Sequence, residues 1–126
     1  MPLSPSHIAQ IAIPIQDLER AKRFYGGALG LPHLFDAPPG LSFFQCGQTR
    51  LMLSQPENEE QAKASILYYD VPDTRAAEAA LVAEGVAMIE PARCIARVGD
   101  KDIWLAIASD GEGNMLGLMS EVPAAA

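Results

Sequence analysis

One pattern occurs twice in this chain. An offset of 56 positions sets Gln10 on Ile66, Ile11 on Leu67, Ile15 on Val71, Asp17 on Asp73, Ala21 on Ala77 and Tyr25 on Leu81. Around each anchor the order is the same: an alternating apolar stretch, an Asp at a helix-cap position, apolar residues at helical spacing, and a glycine that closes the element. A repeat of this size is one supersecondary unit that cannot bury its own sheet, so the two copies must pair.

The first copy reads as β-α-β-β-β. Ile11, Ile13 and Ile15 share one strand face, Asp17 caps a helix carrying Leu18, Ala21, Phe24, Tyr25 and Ala28, and Gly30 ends it. A short strand at 33–36 precedes two alternating stretches, 41–46 and 50–54, joined by a tight turn at Gly47-Gln48. In the second copy the strand 66–71 leads, through the cap at Asp73, to a helical stripe of Ala76, Ala77, Ala80 and Leu81 that ends at Gly85. A strand at 87–90, a stretch to Lys101 without readable register, strands at 102–108 and 115–120, and a turn over 110–114 complete it. The expected architecture is α+β: one domain over 1–126, built from module 8–54 and module 65–120 joined by a polar linker, 55–64. The tail from Pro123 to Ala126 is expected to fray.

Charge and hydropathy exclude several classes of function. Nine basic against sixteen acidic side chains give a formal charge of -7, and no Lys/Arg cluster exists to neutralise phosphates, so neither nucleic acid nor an anionic membrane is an expected partner. The longest apolar run, Ile103 to Ala108, is far too short to span a bilayer. With no secretory pattern at the start of the chain, the cytoplasm is the expected compartment. Cys46 and Cys94 lack metal-like spacing and read as two reduced thiols.

The pattern Ile13-x-Ile15-x-Asp17-Leu18-x-x-Ala21-x-x-Phe24-Tyr25, then Leu29-Gly30-Leu31, then Asp110-Gly111-x-Gly113-Asn114 before a terminal apolar strand, resembles the vicinal oxygen chelate superfamily. That group contains glyoxalase I, extradiol dioxygenases and bleomycin-binding proteins. The resemblance covers residues 8–120 and implies two modules whose sheets form a cup, with helices on the convex face, a small-molecule site in the hollow, and a homodimer. Metal-dependent members carry one ligand on each of four strands. By the motif these positions are Gln10, Met52, Ile66 and Gly117, of which only the Gln10 amide is a hard donor. The resemblance thus implies the fold without its usual metal, and no cofactor is expected.

Strand alternation nominates the lining of the hollow. If the isoleucines of the first strand pack under the helix, Gln10, Ala12 and Pro14 face the other way, with Arg50, Met52 and Ser54. The second module is expected to contribute Ile66, Tyr68 and Asp70, then Asp102, Trp104, Ala106 and Ala108, then Met115, Gly117 and Met119. Phe43 or Phe44 joins them, and Phe44 is the residue assigned. The nominated ligand-binding residues are Gln10, Phe44, Arg50, Met52, Tyr68 and Trp104. Trp104 can stack on a planar molecule or serve the core, Tyr68 can donate from its phenol, and Arg50 can hold an anion or sit solvated at a rim. His33 is of the residue type that serves as a general base, but the sequence shows no partner for it. The reading is a protein that binds a small, planar or partly apolar molecule. The alternative is a glyoxalase-like lyase or isomerase with a metal-dependent or metal-free site of unusual composition.

Overall fold

The repeat is visible in the element order. In the computed structural model, which describes residues 3–124, the N-terminal copy runs β1 (Gln10–Pro14), α1 (Leu18–Lys22), a π-helical turn (Arg23–Ala28), β2 (His33–Ala37), β3 (Leu41–Cys46) and β4 (Thr49–Ser54). The C-terminal copy runs β5 (Leu67–Asp70), α2 (Thr74–Ala83), β6 (Met88–Val98), β7 (Lys101–Ser109) and β8 (Met115–Pro123). The chain divides between Ala64 and Ser65 into two compact units, one per copy. Residues 1, 2, 125 and 126 of the expected domain lie outside the described residues.

Each unit holds one four-stranded mixed sheet, ordered β1-β4-β3-β2 in the first and β5-β8-β7-β6 in the second. In both, the opening strand runs parallel to the last, so the helix between them must cross over one face. The same caps start both helices: Asp17 accepts from the Arg20 N–H at 3.0 Å, and Asp73 accepts from the N–H groups of Arg75 and Ala76 at 3.0 and 3.3 Å. Each carboxylate accepts from backbone N–H groups that have no carbonyl partner at a helix start, worth roughly 1 kcal/mol.

Under α1 the first sheet buries Ile13, Ile15, Phe44, Leu51 and Leu53, against Ala21, Phe24 and Tyr25 from the helical segment. Full burial of such side chains contributes about 1.5–3 kcal/mol each. The helix expected to run evenly to Gly30 instead widens after Lys22, where Leu29 donates to the Phe24 carbonyl at 2.8 Å, five residues back. Gly26 lies in this turn against the Phe44 ring, with a gap so small that a Cβ would stand 2.9 Å from it.

In the second unit the face under α2 carries Ala106 and Ala108, fully buried, with Leu116, Leu118 and Ser120. The buried stripe of α2 is Thr74 and Leu81, not the alanine series; Ala76 and Ala80 are exposed. Polar bonds pin the helix: the Thr74 and Ser120 hydroxyls meet at 2.7 Å, and the Ala92 N–H donates to Glu78 Oε1 at 3.1 Å. The unregistered stretch before Lys101 is part of β6, an eleven-residue strand paired with β7 through three register irregularities. Chain order persists past Pro123, since the Ala124 N–H donates to the Asp100 carbonyl at 2.8 Å; the rest of the tail lies outside the described residues. No helix among the described residues is long and apolar enough to cross a membrane.

Candidate functional site

With a helix on one face of each sheet, the other face is where a ligand can reach side chains without unfolding anything. In the first unit, register puts Gln10 beside Arg50, Ala12 beside Met52 and Pro14 beside Ser54. It also puts Phe43 opposite Met52, and Phe35 opposite Phe43. The aromatic residue of β3 on this face is therefore Phe43. Phe44, assigned here from the sequence, pairs with Leu51 and points to the helix, where it is 1% exposed. Alternation alone could not separate two adjacent phenylalanines, because the register is set by pairing with β4.

A cleft of about 620 Å³ opens on this face. Its floor is Ala12, Pro14, Leu41 and Met52, with Ser54 at the strand end; Pro39 and Gly40 form one wall, and Gln55, Pro56, Glu57, Gln61 and Lys63 the other. That second wall is the polar linker, exposed along its length and ordered by bonds within itself: Gln61 accepts through Oε1 from the Glu57 N–H, and donates through its own N–H to Asn58 Oδ1, both at 2.9 Å. An Asn ahead of a short turn is the one sequence signal that could have indicated it. Lys63 is paired with Glu60 at 3.1 Å.

Next to the cleft on the same face, Arg50 is held on two sides. Its Nε donates to Gln10 Oε1 at 2.7 Å, and its guanidinium carbon lies 5.3 Å from the Phe43 ring centre. Phe43 is stacked on Phe35, with centres 4.5 Å apart, and Gln10 Nε2 donates to Met52 Sδ at 3.8 Å. Gln10, Arg50 and Met52, nominated separately, form one connected row.

The open face of the second unit carries Tyr68 and Asp70, paired with Gly117 and Met119 of β8, and then Ile107 and Leu105 of β7. Tyr68 is 52% exposed and its ring lies over Gly117. Ile66 precedes β5 and is also exposed. The β7 residues expected here, Asp102, Trp104, Ala106 and Ala108, lie on the helix face. Trp104 pairs with Ser120, which bonds α2, and its ring lies under the Arg75 guanidinium of that helix at 4.4 Å. The small alanines stand where α2 needs room, and the branched Ile103 and Ile107 take the open side. Asp102 is held by Arg97 in a two-pronged pair at 2.8 and 3.3 Å, and this pair raises the Arg97 pKa. Asp70 lines a shallow cleft with Val71, Pro72 and Glu121.

His33 belongs to neither open face. It joins Asp36 at 2.8 Å, and Asp36 also accepts from Lys22 Nζ and the Ser42 hydroxyl, each at 2.7 Å. The Lys22 ammonium first, then Ser42 and His33, hold the Asp36 carboxyl well below the usual carboxylate range. This cluster ties the helix to the sheet edge. Cys46 and Cys94 are free thiols.

Sequence and structure place the chain in one family: it belongs to the Glyoxalase/Bleomycin resistance protein/Dioxygenase superfamily, matched over residues 7–118. Among solved structures it is similar to TnmS3, an antibiotic binding protein from Streptomyces sp. CB03234, with 27% identity over 95% of this chain and 99% of that one and a TM-score of 0.75. A glyoxalase/bleomycin resistance protein from the same organism is 28% identical over 89% of this chain and 98% of that one, with a TM-score of 0.67. A superfamily member from Sphaerobacter thermophilus DSM 20745 shares the fold at a TM-score of 0.77, with 22% identity over 94% and 100% of the two chains. No curated protein matches the chain.

The residues at the four ligand positions do not fit a divalent metal. The Gln10 amide oxygen already accepts from a cationic guanidinium, Met52 offers a soft thioether, and Ile66 has no donor. At position 117 there is no side chain, and the Tyr68 ring occupies the space one would enter. Among the described residues no three His, Cys, Asp or Glu side chains gather to replace them.

Proposed function

We propose that this protein binds a small, planar or partly apolar organic molecule on the open face of its N-terminal sheet, without a metal, and that it sequesters the molecule. The observation that carries this reading is the cleft itself: an apolar floor of Ala12, Pro14, Leu41 and Met52 beside a polar wall of Gln55, Glu57, Gln61 and Lys63. Among the described residues its titratable lining groups are Glu57 and Lys63, and no nucleophile and base meet there. Similarity to an antibiotic binding protein at 27% identity supports the same reading. Gln10, Arg50 and Met52 are the contacts assigned to it, and Tyr68 offers a second exposed aromatic surface, in the C-terminal unit. The working form is taken to be a cytoplasmic homodimer, which sedimentation equilibrium would check.

The test is a thermal-shift screen of chelator-treated protein against Ni, Zn, Mn and Fe, glutathione conjugates, and neutral, anionic and cationic planar aromatics. Stabilisation by an aromatic compound, with no response to the metals, is the expected result. Stabilisation by a metal, with lactoylglutathione formation that a chelator abolishes, would establish a lyase instead.

A further inference from the structure

Cations are scarce in this acidic chain, nine in all, and four of them are committed to ion pairs among the described residues. Lys22 is paired with Asp36, Lys63 with Glu60, Arg93 with Glu90 and Arg97 with Asp102. Arg50 is different. Its fixed partners are Gln10 and Phe43, neither of them charged, and no ion pair reaches it among the described residues. An Arg side chain ordinarily loses much rotamer freedom when a ligand fixes it. Here the ring below and the amide beside it have already set its place.

The chemistry of position 10 decides what this arrangement does. A Glu there would orient the guanidinium equally well but would neutralise it. Gln10 orients it through a neutral oxygen and leaves the charge unspent. Because Nε is taken by Gln10, the edge left is the pair of Nη groups, a planar fork matched to the two oxygens of a carboxylate. Two residues along each strand, about 7 Å away at ordinary strand rise, stand Ala12 and Met52 on the cleft floor.

We infer that the ligand of this cleft is an aromatic carboxylic acid, its ring system on Ala12 and Met52 and its carboxylate held end-on by the Nη groups of Arg50, with Gln10 as the positioning residue. This rests on the binding function proposed above.

Calorimetric titration with 2-naphthoate and 2-naphthamide, which differ only in the charged group, tests it. The wild-type protein should bind the naphthoate roughly tenfold more tightly than the amide, in keeping with one charge-assisted bidentate contact. Arg50→Met should erase that preference while leaving naphthamide affinity in place, and Arg50→Lys should restore part of it. Gln10→Glu should erase it too, by placing a carboxylate within the protein, a result that a merely structural Gln10 would not give. Equal affinity for the two probes in the wild-type protein, or a preference that survives both Arg50→Met and Gln10→Glu, overturns the inference. If Ala12→Trp still abolishes binding of both probes, the cleft reading stands without it. Binding of neither probe, or binding indifferent to Ala12→Trp, overturns the cleft reading and this inference together.

Discussion

The ring of Tyr68 covers Gly117, lying where any side chain at position 117 would have to project. These residues are direct partners across β5 and β8, so the glycine is what allows the aromatic ring to lie flat on its own sheet. The position that the family resemblance marks for a metal ligand is here covered by an aromatic ring.

Because the collision involves the ring close to its root, Gly117→Ala should displace Tyr68 and cost about 1–3 kcal/mol, the usual range for overpacking. In a Tyr68→Ala background the same substitution should cost much less, since nothing is left to displace. Urea unfolding of the four proteins gives the coupling directly; additive effects would show that the ring and the glycine do not depend on one another.

Adjacent phenylalanines on β3 should separate stability from binding. Phe44→Ala opens the core beneath Gly26 and should cost about 3–5 kcal/mol, with the folded fraction still binding 2-naphthoate normally. Phe43→Ala removes the platform under Arg50 and should weaken that binding, in addition to a loss of stability, since Phe43 is also buried. Midpoints from chemical denaturation and affinities from calorimetry distinguish the two, and the reverse pattern would contradict the register of β3 on β4.

Asp36 sets an acid limit. Its pKa is lower folded than unfolded, so its contribution is complete above the unfolded value of about 4 and is lost as pH falls below it. Lys22 is shifted upward by the same partner, so its share is present below its unfolded value of about 10.4 and is lost as pH rises through the raised one. Asp36→Asn should therefore be less stable than the wild type near neutrality, with the gap closing toward low and toward high pH. Thermal midpoints across that range provide the check, and a gap independent of pH would mean the cluster contributes no charge-dependent stability.

Much of the fold was legible because repetition constrains it: two Asp caps, two closing glycines and two alternating strands fix the same unit twice. What could not be read was whichever strand face depends on a partner's register. Phe43 and Phe44 are both apolar, so only pairing with β4 reveals which one faces the helix. On β7 every residue from Ile103 to Ala108 is apolar, and the size of the alanines, needed for α2 to approach, outweighs the aromatic character of Trp104. β6 was illegible because its bulges break alternation three times. The Gln10–Arg50–Met52 row was legible, since β1 and β4 alternate without interruption. The linker wall of the cleft was not, because its order comes from side-chain bonds within a polar run.

The central claim is that the open face of the N-terminal sheet binds its ligand with no metal present. Amide chemical shifts of chelator-treated, isotope-labelled protein, followed during titration with 2-naphthoate, test it most directly. The account predicts saturable changes centred on Ala12, Met52 and Ser54, unaltered by later addition of Zn or Ni; changes that avoid these residues, or that develop only once metal is added, would contradict it.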